Sequence, residues 1–241
     1  MSSNWSLESL RLSIFTADQP KGTEADWTFL TGQDEAEVRQ NVPGGKVYVG
    51  DFGLGRLTLG FGPNRVDVIM GIKADFAEDA AVPAFAEWDA GIDEFQSVAS
   101  KFLANFTHPV ARLALGSVML QQAPDEKSVN SILSGYLKSA KIQPDTEDFL
   151  YRINSPTRSN ILPLKLNRIL SLGSVKIQRG SIRVGGNEAG IVMGGQVFAA
   201  RLELDHSTDA ANASPLDRSL LVPIWDELVG LGRQNVESGE L

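Results

Sequence analysis

No cysteine occurs in the 241 residues. That excludes disulfides, thiolate nucleophiles and cysteine-ligated zinc or iron–sulfur centres. Histidine is nearly absent too, with only His108 and His206. A serine triad would need one of them beside a nucleophile, and no G-x-S-x-G elbow is present. A phosphate-binding fingerprint is also missing. Gly53-Leu54-Gly55 lacks a third glycine and leads into a strand pattern. Asp51-Phe52-Gly53 matches a kinase tripeptide without any other kinase element. Residues 1–9, MSSNWSLES, show neither a basic start nor an apolar run, so no signal peptide is expected. No apolar stretch is long enough to span a bilayer. Together these absences lead us to expect a cytoplasmic, non-membrane protein. They argue against an enzyme, and no cofactor is implied.

What is present reads as an ordinary folded domain. Hydrophobic residues make up 42% and charged residues 22%, enough for a core and too apolar for wholesale disorder. The strongest β signals are KVYVGDF at 46–52, then RLTLGF at 56–61 and RVDVIMGI at 65–72 around the Gly62-Pro63-Asn64 turn. Leu10, Leu12 and Ile14 alternate with polar residues, which suggests a strand. Residues 18–26 read as a loop and 34–40 as one or two helical turns. After Pro83, the residues Phe85, Trp88, Ile92, Phe95, Ala99, Phe102 and Phe106 recur at spacings of three and four. They predict a long amphipathic helix with its aromatic face in the core.

The second half repeats these patterns more loosely. Residues 110–120 read as a strand, with Arg112, Ala114 and Gly116 on one face. Residues 125–139 read as a helix, and 149–153, 175–184 and 190–204 as extended, with a turn at Gly185-Gly186-Asn187. A last helix is expected from Ser214-Pro215-Leu216-Asp217, kinked or restarted at Pro223 and fraying from Gly232. The predicted class is therefore α+β, with antiparallel hairpins and sheets packed on a few amphipathic helices. The order of hairpin then helix occurs twice, which raises a two-halves architecture divided at 108/109 within one 1–241 unit. No residue-level repeat is visible.

Charge is segregated along the chain. The net charge is −8. Yet residues 149–187 hold no acid and carry Arg152, Arg158, Lys165, Arg168, Lys176, Arg179 and Arg183. Residues 74–100 hold no base and carry seven acids, among them Asp75, Glu78, Asp79, Glu87 and Asp93. Two readings follow. The blocks could neutralise each other, within one chain or across a homo-oligomer, or the basic block could bind nucleic acid, a nucleotide or an acidic protein. A second cluster is Glu203, Asp205, His206 and Asp209. Carboxylates that share a strand face beside a histidine could hold a divalent ion and activate water, as in a metal-dependent hydrolase.

Three segments, ARLALG at 111–116, YRINSPTRSN from Tyr151 and LELDHST at 202–208 before the final helix, resemble a sporadically distributed bacterial family of about this length. Such families often sit among phage-defence and toxin–antitoxin genes. The resemblance implies an accessory or regulatory role and assigns no catalytic residue. The leading expectation is thus a non-enzymatic interaction subunit of a bacterial complex with a protein partner.

Overall fold

The computed structural model describes residues 4–73, 82–185, 188–212 and 214–239, with residues 179–185 and 188–194 described through their backbone alone. Asp75, Glu78, Asp79, Gly186 and Asn187, and the side chains of Arg179 and Arg183, therefore lie outside the described residues.

Among the described residues, eleven strands form one antiparallel sheet. They are β1 (Ser6–Thr16), β2 (Val38–Val42), β3 (Gly45–Phe52), β4 (Gly55–Gly62), β5 (Arg65–Gly71), β6 (Ala86–Glu87), β7 (Val110–Ala123), β8 (Leu150–Asn154), β9 (Thr157–Arg158), β10 (Lys165–Gly185) and β11 (Glu188–Thr208). The spatial order is β2-β3-β4-β5-β1-β7-β11-β10-β8, with β6 on β1 and β9 on β10. The described residues also form four α-helices, α1 (Glu24–Thr31), α2 (Trp88–Asn105), α3 (Glu126–Tyr136) and α4 (Leu221–Ser238). The mixed α/β class with antiparallel pairing is the class expected from the sequence. No helix among the described residues is long and apolar enough to cross a membrane.

Register puts one row of apolar side chains on one side of the sheet. Leu12 pairs with Val68 of β5 and with Leu115 of β7, while Ile14 pairs with Val66 and Leu113. Paired residues share a face, so the row runs on through Leu57 and Leu59 of β4, Leu202 and Leu204 of β11, and Leu170 and Leu172 of β10. All are buried. The helices cover this side. Gly91 of α2 seats against Leu7, where a Cβ would collide with the leucine Cδ1. Gly232 of α4 lies over Leu115 and Leu204. The two long helices meet through Phe95 and Trp225, an edge-on pair 6.0 Å apart. Tyr136 of α3 donates to the Asn235 carbonyl at 2.9 Å and also contacts the Val236 carbonyl, tying α3 to the end of α4. Burial raises the Tyr136 pKa above its ordinary value.

Several boundaries differ from the sequence reading. Residues 38–42 form strand β2 rather than helical turns, because they pair with β3. The 18–26 loop gives way to α1 at Glu24, where Thr23 and Asp26 form a capping box. α2 begins at Trp88 rather than after Pro83. Phe85 N–H donates to the Leu7 carbonyl and Ala86–Glu87 pair with β1, so this segment is extended first. Leu216 is not helical: it bridges to Val110, and Asp217 then caps a 3-10 turn at Arg218–Leu220. Pro223 falls in the first turn of α4, where a missing N–H costs little. α4 continues past Gly232 to Ser238, held by the buried Asn235 and Val236.

Candidate functional site: the open face of the sheet

Strand alternation sends every second side chain to the other side of the sheet. Among the described residues, no helix covers that side. Across the two central strands it presents Arg11, Ser13 and Phe15 of β1 against Gly116, Ala114 and Arg112 of β7. Asp67 and Arg65 of β5 flank them on one side, and Asp205 and Ser207 of β11 on the other. Ser13, Ala114 and Ser207 are buried although no described element lies over them. They are small residues shaded by taller neighbours.

Those neighbours are mostly arginines held by specific contacts. Arg65 and Arg112 lie over the ring of Phe15, at 5.2 and 4.9 Å from its centroid. Arg112 donates to Ser207 Oγ at 2.9 Å. Arg65 pairs with Asp67 and donates to Ser13 Oγ, and Ser13 in turn donates to Asp67 at 2.6 Å. Arg11 lies flat over Gly116: a Cβ there would be 3.0 Å from Nη2 and 3.2 Å from Nε. The absent side chain is what lets the guanidinium lie against the backbone. Nε of Arg11 and Nε of Arg112 are both buried without a hydrogen-bond partner among the described residues.

Toward β8 the same face carries more cations. Arg152 donates to Ser171 Oγ at 3.2 Å, and Arg201 pairs with Glu203. Arg158 pairs across with Lys165 at the margin, and Lys165 Nζ lies 3.8 Å from Asp209. A shallow depression of about 230 Å³ lies between Leu150, Ser171, Gly173, Arg201 and Glu203. Among the described residues the face holds seven arginines, the seventh being Arg56, and Lys165, against six acids, Asp51, Asp67, Glu87, Glu203, Asp205 and Asp209, with Glu37 reaching Arg56 as well. Its charges nearly balance, but Arg11, Arg112, Arg152 and Arg158 make no ion pair among the described residues.

The basic block read from the sequence does not form one surface. Arg152, Arg158 and Lys165 are on the open face. Arg168 and Lys176 alternate to the helix side, where Arg168 Nε donates to the Ser155 carbonyl and Lys176 meets Glu126 of α3 at 3.0 Å. That carboxylate holds the Lys176 pKa above its ordinary value. Mutual neutralisation with the acidic block is not seen among the described residues. Asp93 pairs with Arg233 of α4, Glu94 accepts from the Leu54 N–H and Glu87 from Ser6. The acids that meet the basic block are Glu126 and Asp209 instead.

The carboxylate cluster is split in the same way. Glu203, Asp205 and Asp209 belong to the open face, whereas His206 points under α4 and is fully buried. Burial pushes the His206 pKa down to about 4, against an opposing contribution from the Leu228 backbone and with a smaller push in the same direction from Arg168 on the neighbouring strand. Among the described residues, no three acid or histidine side chains converge as metal ligands. His108 lies beyond the end of α2, its Nδ1 2.9 Å from Asp18 Oδ2.

Arg11, Arg65 and Phe15 escaped the sequence reading because each is a single polar or aromatic residue inside an alternating strand. The available signal was their position opposite the apolar set of β1. No family model, curated protein or solved structure matches the chain.

Proposed function

We propose that this protein is a non-enzymatic binding protein, an accessory subunit of a larger assembly, and that the open sheet face is its interaction surface. One observation carries this reading. The face is broad, carries no helix among the described residues, and holds four arginines, Arg11, Arg112, Arg152 and Arg158, that no carboxylate among the described residues neutralises. Guanidinium groups left without counter-charges on a flat surface are suited to contact with a partner rather than to bond-making chemistry. The resemblance of three segments to a bacterial family associated with accessory roles is compatible with it. A metal-dependent hydrolase is not carried forward, since Glu203 and Asp205 are separated from His206 by the sheet itself.

The element order further supports two related halves. Apart from β2, β6 and β9, which have no counterpart, the order β1-α1-β3-β4-β5-α2 is matched by β7-α3-β8-β10-β11-α4, and the strands run outward as β1-β5-β4-β3 and β7-β11-β10-β8. The two halves then meet at β1 and β7, in the middle of the proposed surface.

Site-specific photo-crosslinking tests the surface. A photoreactive residue replacing Val118 or Ile169 on the open face should capture a macromolecule from extract. The same residue replacing Ser131 or Ser97, exposed positions on α3 and α2, should capture far less. Crosslinks arising only from the helix positions would overturn the reading.

A further inference from the structure

We infer that the partner of the open face is a nucleic-acid duplex, gripped through its phosphates and aligned on a two-fold axis between β1 and β7. The inference rests on the open face being the interaction surface, and it adds the partner's chemistry and symmetry.

The symmetry comes from the register. Ser13 of β1 pairs with Ala114 of β7, and the strands are antiparallel. An axis through that pair relates Arg11, two residues before Ser13, to Arg112, two residues before Ala114. Both arginines precede a buried leucine, Leu12 and Leu113, on the helix side. Both lie low on the sheet with a buried Nε, one on Gly116 and the other on Phe15. Phe15 and Gly116 are themselves related by the same axis. The two central cations are therefore equivalent positions presented in opposite directions. An antiparallel duplex has local two-fold axes normal to its length, so its phosphates come in pairs of this kind, and protein two-fold axes commonly coincide with them. A peptide strand has no such axis.

Dimensions and charge agree. From β5 to β8 there are five strand steps, or about 24 Å at the usual inter-strand spacing. That is the length of about seven base pairs at 3.4 Å each. Arg65, Arg11, Arg112, Arg201 and Arg152 are spread over this width. Phe15 is the single aromatic ring among the described side chains of the central open face, and two guanidinium groups already cover it. A platform for stacking unpaired bases is therefore not offered, and the contacts fall to phosphates. The net charge of −8 does not forbid this. Acids on the helix side lie a layer away, about one Debye length at 0.1 M salt. On the open face Asp51, Asp67, Glu203 and Asp209 are paired with Arg56, Arg65, Arg201 and Lys165, and the four unpaired arginines would touch the duplex.

Fluorescence anisotropy with a labelled 20-base-pair DNA duplex, and with its RNA counterpart, tests the inference at 50 mM salt. Saturable binding is expected to at least one of them. If Arg11, Arg112, Arg152 and Arg158 each meet a phosphate, log Kobs should fall against log salt with a slope of about −3.6. The R11Q/R112Q double variant should bind at least about tenfold more weakly, with the slope reduced by about 1.8. Lys138→Glu, exposed beyond α3, should leave affinity unchanged. Circular dichroism melts check folding. If the double variant does not fold, R152Q/R158Q on the exposed β8–β9 margin probes the same contacts. No binding at 50 mM salt overturns the inference, as does binding that ignores both pairs of substitutions. A single strand bound as tightly as the duplex, or an acidic peptide that displaces it at equal charge, also overturns it. Open-face crosslinks with no duplex binding would remove the duplex and leave the surface standing. Crosslinks from the helix side alone would remove both.

Discussion

The two sides of this sheet are built from the same strands and obey opposite rules. On the helix side, Leu12, Val68, Leu115 and Leu204 meet helices, and even His206, a titratable side chain at its centre, is held neutral. On the other side the same strands present Arg11, Asp67, Gly116 and Asp205 with no described helix over them. Burial there is achieved by long guanidinium groups lying over small residues. The difference teaches where stability and recognition reside. Apolar area removed from water contributes about 25 cal/mol per Å², so the helix side holds the fold together. The open side has free charges and few obligations to the core, and can be specialised for contact.

The largest test of this division is Trp225→Ala. Trp225 is fully buried between α2 and α4 and stacks edge-on against Phe95. Its loss should destabilise the fold by about 3–5 kcal/mol in urea titrations. Arg152→Ala on the open face should change stability by less than about 0.5 kcal/mol. Equal effects would mean that the open face is part of the structural core.

A second contrast concerns pH. His206 titrates near 4 when folded and near its ordinary 6.5 when unfolded. The folded state favours the neutral ring, so this contribution is complete above pH 6.5 and is lost as pH falls toward 4. The unfolded chain then binds the extra proton. The loss is on the order of 3 kcal/mol over the window, at 1.36 kcal/mol per unit. The stability difference between the parent protein and His206→Leu should vary across pH 4–6.5 and be flat above pH 7. A difference that is constant throughout would show that His206 is not buried in its neutral form.

A smaller effect is expected at Gly116, whose missing side chain seats Arg11. The atom that a Cβ meets is the end of a flexible side chain, so Gly116→Ala should cost about 1 kcal/mol or less in stability. It should nonetheless lift Arg11 off the sheet, and duplex affinity should fall with little change in melting temperature. Unchanged affinity would mean that the seat of Arg11 does not matter for binding.

Much of the helix side was legible in the sequence, because periodicity reports burial. The spacing of Trp88, Ile92, Phe95, Ala99 and Phe102 describes α2, and Leu10, Leu12 and Ile14 describe β1. Boundaries were missed where tertiary pairing overrode local pattern, as at Ala86–Glu87, drawn onto β1 before the helix could start. The open face was far less legible. Its central residues come from segments about a hundred positions apart, and a lone arginine in a strand looks like any solvated side chain. The block from Arg152 to Arg183 stood out by density, yet alternation sends Arg168 and Lys176 to the opposite side from Arg152 and Lys165. Linear charge density ignores that alternation, and for the same reason Glu203, Asp205 and His206 seemed closer to one another than they are.

The finest test separates Arg65 from Arg11 and Arg112. Arg65 is the central arginine already paired with an acid, Asp67, which also accepts from Ser13. An ion pair this exposed contributes about 0.2–1 kcal/mol, so Asp67→Asn should lower stability only by that amount. It should also release Arg65 from its counter-charge and leave it over Phe15, in line with the free arginines. If free charge on this face determines affinity, Asp67→Asn should bind the duplex more tightly than the parent and gain about 0.9 in the salt slope. An unchanged slope would mean that a freed Arg65 reaches no phosphate and would leave the contact to Arg11 and the arginines of the β7–β8 side.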